Sequence, residues 1–289
     1  MLRLQLSCGA PDMSVSVPSR PSRLSGLRSF YGAHVPRWVK ECIHPLLHPR
    51  LAFVESYSRY KCHSRVQMGP SKGLYFGASY LDKDVALAAL LGTYEIELHP
   101  IFEKLRLRGF RRLVDVGAAE GFYAVGLLRH WPGLEVVGFE MNAVQRDRAL
   151  TLARENGVAE RFVLKGFCDA AALREFGDGL SQSLLIVDVE GYEKELLDPS
   201  LVPALRHTTM LVEVHDCFVP GCTEAIKQRF SGTHHITEVS MARREPKDYP
   251  FEGWVKRSAA MALALSTVMA DGRTEVNGWL FLEPKSQAS

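Results

Sequence analysis

The sequence predicts a doubly wound α/β domain on a mostly parallel sheet, and three observations carry that expectation. After Gly109, short apolar runs alternate with helical stretches, and these runs lack the strict polar alternation of half-exposed strands. Strands buried on both faces read this way. Between the first two runs, Ala124, Leu127, Leu128 and Trp131 fall at i, i+3, i+4 and i+7 and make one apolar stripe of a helix. With 289 residues, 46% apolar and 24% charged, the chain can bury a large core.

Residues 1 to about 28 read as a flexible basic tail or an overextended start, with Met13 as the alternative beginning. Residues 29–109 read as a partly helical lead-in punctuated by Pro36, Pro45, Pro49 and Pro70. Within it, the Ala- and Leu-rich stretch from Asp82 to Leu98 is expected to be one helix, reset at His99-Pro100 and followed by a second that ends at Gly109. The main domain then spans residues 110–289. Strands are expected at Leu113 to Val116, Glu135 to Phe139, Phe162 to Gly166, Leu184 to Val189, Met210 to Val214, Ile236 to Val239 and Trp279 to Leu282. An insertion of about residues 240–277 holds Pro246, Pro250 and a helix whose Met261, Ala264, Leu265 and Val268 form a stripe, either packed on the sheet or walling a pocket.

Charge narrows the function classes. Residues 1–65 carry ten Lys and Arg against three acids, so the net +2 divides into +7 there and −5 over the rest. A mildly acidic main body lacks the basic footprint of a nucleic-acid binder, and no nucleic-acid partner is expected. The longest uncharged run, Ser258 to Ala270, has 13 residues, short of the roughly 20 that span a bilayer as a helix. Six cysteines with no C-x-x-C pair suggest reduced thiols and a cytoplasmic protein.

The sharpest local signal is the strand-turn-helix Leu113-Val-Asp-Val-Gly-Ala-Ala-Glu-Gly-Phe-Tyr123. Gly117, Ala118 and Gly121 would let a ligand approach the backbone near the positive end of the next helix, although tight turns also need glycine for structural reasons. Nineteen residues after Gly121, Glu140 ends the second strand, where a carboxylate can accept from both ribose hydroxyls of a nucleotide-like ligand. The alternative for Glu140 is a solvated charge or a cap for the helix near Ala143. Asp169, after the third strand, could accept from an adenine amino group or cap the helix Ala170 to Glu175.

Asp115-Val-Gly-Ala-Ala-Glu-Gly121, Phe139-Glu140 and above all Leu185-Ile-Val-Asp-Val-Glu-Gly-Tyr-Glu193 resemble class I S-adenosylmethionine-dependent methyltransferases, more narrowly the FkbM-like group with its D-x-E-G-x-E phrase. The resemblance runs from about Gly92 to Pro284. It implies a Rossmann-like, seven-stranded sheet with the last strand antiparallel, S-adenosyl-L-methionine as cofactor, and O-methylation of a small-molecule or glycan hydroxyl. The cofactor-binding residues it implies are Asp115, Gly117, Ala118 and Gly121 in the turn, Glu140 with Met141, Asp169, Asp188, and Glu95 in the looser match Gly92-Thr-Tyr-Glu95. Ala119 departs from the pattern, where many members carry Asn.

Methyl transfer to a hydroxyl needs an aligned acceptor and usually a base. Asp188 and Glu190 close the fourth strand; Glu213, His215 and Asp216 close the fifth. Alternation puts Glu213 and His215 on one face, and Asp188 and Glu190 on one face of theirs. His215 is the expected base, with Asp188 and Glu213 as its catalytic partners, unless these groups only shape the pocket. They could also hold a divalent cation, but no recognised ligand spacing accompanies them and no metal is expected. Glu193 reads as complementing the dipole of its helix, and His234-His235 as surface residues on opposite faces.

Two rivals remain. A nicotinamide oxidoreductase would use a similar sheet, but G-x-G-x-x-G/A is missing from Gly117-Ala-Ala-Glu-Gly121. A non-catalytic methyltransferase-like module would work through partners of the basic N-terminal segment.

Overall fold

The computed structural model describes residues 45–77, 87–272 and 278–286. The chain forms two compact units, Met1–Phe53 and Val54–Ser289. The expected tail and the start of the lead-in lie outside the described residues. What is described of the first unit is helical and exposed at Leu46 and Leu47. The boundary falls inside helix α1 (Pro49–Cys62).

The second unit is built on a seven-stranded sheet of order β3-β2-β1-β4-β5-β7-β6. Its strands are β1 (Arg112–Val116), β2 (Glu135–Phe139), β3 (Phe162–Lys165), β4 (Leu184–Val187), β5 (Thr209–Val214), β6 (His234–Val239) and β7 (Gly278–Pro284). Strands β1 to β5 pair in parallel, while β7 runs antiparallel between β5 and β6. The doubly wound sheet with an antiparallel last strand is therefore present as expected. Every residue of β4 and β5 is buried, the pattern of a central strand covered on both faces.

Between the strands run α4 (Phe122–His130), α5 (Ala143–Glu155), α6 (Ala170–Arg174), α7 (Glu193–Leu196) and α8 (Cys222–Phe230). Before β1 come α2 (Leu87–Leu91) and α3 (His99–Leu107); before β7 come α9 (Trp254–Arg257) and α10 (Ala262–Met269). The stripe on α4 is buried throughout, Trp131 included. Among the described residues, no helix is long and apolar enough to cross a membrane.

The lead-in departs from the single helix expected over Asp82 to Leu98, of which residues 82–86 lie outside the described residues. α2 stops at Leu91 because Gly92 turns to φ 78°, with Met68 O only 2.3 Å from where a Cβ would stand. Glu95 adopts φ 48°, and a short 3₁₀ turn, Ile96–Leu98, leads into α3. Helix α10 presents Ala264, Leu265 and Val268 of the expected stripe as a buried face and packs against α2, while Met261 stands just before the helix and is half-buried.

Arg244, 5% exposed, locks this region. Its guanidinium donates to Thr93 O at 2.8 Å, Glu97 Oε2 at 2.9 Å and Asp271 Oδ2 at 2.6 Å. Arg244→Leu leaves two buried carboxylates without their counter-charge and is expected to destabilise the fold by about 3–5 kcal/mol, read from urea unfolding.

Candidate active site

At the carboxyl end of β1 the chain turns sharply into α4. Gly117 (φ 90°) and Ala118 both donate their N–H to Phe139 O, each at 2.9 Å. A Cβ on Gly117 would stand 1.7 Å from Asp188 O, so the glycine lets the ends of β1 and β4 touch. Gly117→Ala is expected to cost at least about 2 kcal/mol, measured as a lowered unfolding midpoint. Gly121 (φ 86°) likewise lets α4 lie against Ala149 of α5, 3.0 Å from the missing Cβ. Both glycines thus have a structural reason, and the case for a ligand rests on the carboxylates around them.

Glu140 is 8% exposed and bridges the turn to its own strand end. Its Oε2 accepts from Ala119 N at 3.0 Å and its Oε1 from Asn142 N at 2.7 Å. The helix cap considered for it belongs instead to Asn142, whose Oδ1 accepts from Val144 N and Gln145 N. Met141 is exposed beside it, and Ala118 is buried in the turn. Asp169 is exposed and caps α6, accepting from Ala172 N at 2.8 Å. Phe167, which sequence reasoning passed over, is exposed just beyond β3 near Asp169, its ring centroid 5.5 Å from that of Tyr192 with the planes tilted by 40°.

Asp115 stands apart from these. It is 4% exposed at the end of β1. Burial, then the nearby charges of Asp188 and Glu140, push its carboxyl up to about 7. Glu95 is engaged by protein groups, accepting from Tyr123 OH and from Trp279 Nε1 at 3.2 Å.

The ends of β4 and β5 bring the second group together. His215, 4% exposed, has its Nε2 3.7 Å from Asp188 Oδ1 and 3.9 Å from Glu213 Oε2. These three residues each offer one donor atom, all within 4.8 Å of one another, the one such group of possible cation ligands among the described residues. Burial raises the Asp188 carboxyl to about 6; the charge of His215 pulls it down and that of Glu190 pushes it up.

Three expectations are corrected here. Glu190 does not share a strand face with Asp188, because β4 ends at Val187 and Glu190 turns to φ 56°. Glu193 opens α7 as the dipole reading has it, but that is not its whole role: it is fully buried, and its Oε1 lies 2.7 Å from His215 Nδ1. His234 is not a surface residue but is 2% exposed, its Nε2 2.9 Å from Thr208 O, whereas His235 is exposed as expected. Asp216 turns away from the cluster to cap α8 through Thr223.

No protein-family model and no curated protein matches the chain. Among solved structures it is similar to the O-methyltransferase TomG from Streptomyces achromogenes in complex with SAM, at 16% identity and TM-score 0.39, over 75% of this chain and 90% of that one. It is also similar to an O-methyltransferase from Bacillus cereus in complex with SAH, at 11% identity and TM-score 0.39, over 75% and 91% of the two chains. A fibrillarin/Nop5p complex gives 14% identity and TM-score 0.44, over 76% and 92%. Likeness at this level assigns no activity, which has to be argued from the site.

Proposed function

We propose that this chain is an S-adenosylmethionine-dependent methyltransferase of the FkbM-like type, acting on a hydroxyl oxygen of a small molecule or glycan. The observation that carries the reading is the pair of buried carboxylates flanking the turn after β1: Glu140 just past the end of β2, and Asp115 on β1, whose carboxyl is pushed up by burial and by the charges of Asp188 and Glu140. When bound, S-adenosylmethionine supplies a methyl group activated on a sulfonium. Its sulfonium and ammonium charges and its ribose diol suit a site that offers acceptors and negative charge. Glu140 would accept from the ribose hydroxyls, with Met141 and Ala118 beside it and Asp169 toward the adenine. Asp115 and Asp188 would face the charged methionine end, and Gly117 and Gly121 shape the turn, while Glu95 braces its far side through Tyr123. A dinucleotide is disfavoured, because its anionic pyrophosphate would meet these acids.

His215 would act as the base at the ends of β4 and β5, flanked by Asp188 and Glu213. The imidazole would take the acceptor O–H proton as that oxygen receives the methyl group that bound S-adenosylmethionine would supply, with S-adenosylhomocysteine as the leaving group. Cys62, Cys168, Cys217 and Cys222 are all free thiols, which supports a cytoplasmic setting. The test is transfer of label from methyl-tritiated S-adenosylmethionine to a panel of hydroxylated small molecules and sugars. Label on oxygen is the expected outcome; label on nitrogen or carbon acceptors alone would overturn the O-methyl assignment.

A further inference from the structure

A carboxylate that serves only the dipole of a helix stays in water, where it costs nothing to keep charged. Glu193 opens α7 but is fully enclosed. Its Oε1 meets His215 Nδ1 at 2.7 Å and accepts from Val189 N at 3.2 Å, while its Oε2 has Cys222 Sγ at 3.9 Å. Burial pushes the Glu193 carboxyl up, but the hydrogen bond and charge of His215 outweigh it and hold it below the usual range. Burial pulls His215 down, but the hydrogen bond and charge of Glu193, with the charges of Asp188 and Glu190, raise it above its ordinary value. The ring is also restrained on its face by Phe218, with centroids 5.8 Å apart and planes 26° from parallel.

A neutral imidazole carries one proton, and the nitrogen facing a carboxylate keeps it. Carboxylates face both nitrogens, but only Glu193 is within hydrogen-bond distance, 2.7 Å from Nδ1 against 3.7 and 3.9 Å from Nε2 to Asp188 and Glu213, so Nδ1 keeps the proton and the lone pair sits on Nε2. We infer that Glu193 is the positioning residue of His215, holding the ring as its Nδ1–H tautomer so that Nε2 is the atom that takes the acceptor's proton. This rests on the proposed function for the role of Nε2, whereas the tautomer is a property of the protein alone. Once a proton has moved to Nε2, the buried Glu193 carboxylate is the counter-charge of the imidazolium.

The experiment uses the full chain labelled with ¹⁵N-histidine and long-range ¹H–¹⁵N spectra, with His215→Ala to assign the resonance. The neutral ring is expected to carry its proton on Nδ1. Glu193→Gln, whose amide can donate to Nδ1, is expected to mix or invert the tautomers, and Glu193→Asp to restore the native one in part. On the acceptor found by label transfer, Glu193→Gln should lower kcat by about 10²- to 10⁴-fold, with KM and S-adenosylhomocysteine affinity within about twofold of wild type. A wild-type ring protonated on Nε2, or a Gln variant with unchanged tautomer and turnover, overturns the assignment. So does direct ligation of Nε2 by added ZnCl₂ or MnCl₂ at micromolar concentration, which would make it a metal ligand instead of a base. Absence of S-adenosylhomocysteine binding alongside an Nδ1–H ring would refute the proposed function and leave the positioning intact. Should Glu193→Gln fail to fold, the wild-type spectrum and Glu193→Asp still decide.

Discussion

Glu140→Ala is expected to lower the affinity for S-adenosylhomocysteine by at least about 100-fold. An ionised carboxylate accepting from two ribose hydroxyls makes two charge-assisted hydrogen bonds, each contributing about 1.5–3 kcal/mol, and alanine removes both. In the free protein the same carboxylate ties Ala119 N to Asn142 N, so the substitution also loosens the turn over which the ligand would lie. Glu140→Gln keeps the shape and one acceptor oxygen and is expected to lose less. Calorimetric titration of both variants, with circular dichroism to verify folding, makes the comparison. Affinity within about fivefold of wild type for the alanine variant would remove Glu140 from the cofactor site.

His215→Ala is expected to divide the two halves of the site. Binding of S-adenosylhomocysteine should stay within about twofold of wild type, while turnover falls by about 10²- to 10⁴-fold, the usual contribution of a general base. The division follows from position: His215 belongs to the end of β5, and Glu140 lies at the end of β2, with β1 and β4 between them in the sheet. Full activity in the alanine variant would reduce the Asp188, Glu213 and His215 cluster to pocket architecture.

The strands were legible because apolar runs such as Leu184 to Val187 have no polar residue to disguise them, and each expected strand was found within two residues at either end. Strand ends, and with them Asp115, Glu140, Asp188, Glu213 and His215, could therefore be placed from the chain alone. Less legible was anything decided by where a charged side chain points. Glu193 sits where a helix dipole favours an acid, and nothing in its neighbours signals that it reaches back to His215, 22 residues later in the chain. His234 and His235 differ only by strand parity, and which of the two faces inward depended on helix α8, whose Phe230 packs edge-on to the His234 ring. The helix expected through Gly92 failed for the same kind of reason. Ala and Leu favour helix locally, but close contact with Met68 demands a left-handed glycine.

The central claim is tested most directly by calorimetric titration of the purified chain with S-adenosylhomocysteine, alongside NAD⁺ as the competing ligand. The account predicts a dissociation constant on the order of micromolar for the first and no heat from the second. Binding of NAD⁺ alone, or of neither ligand, would contradict it, the first in favour of an oxidoreductase and the second in favour of a module that works through its partners.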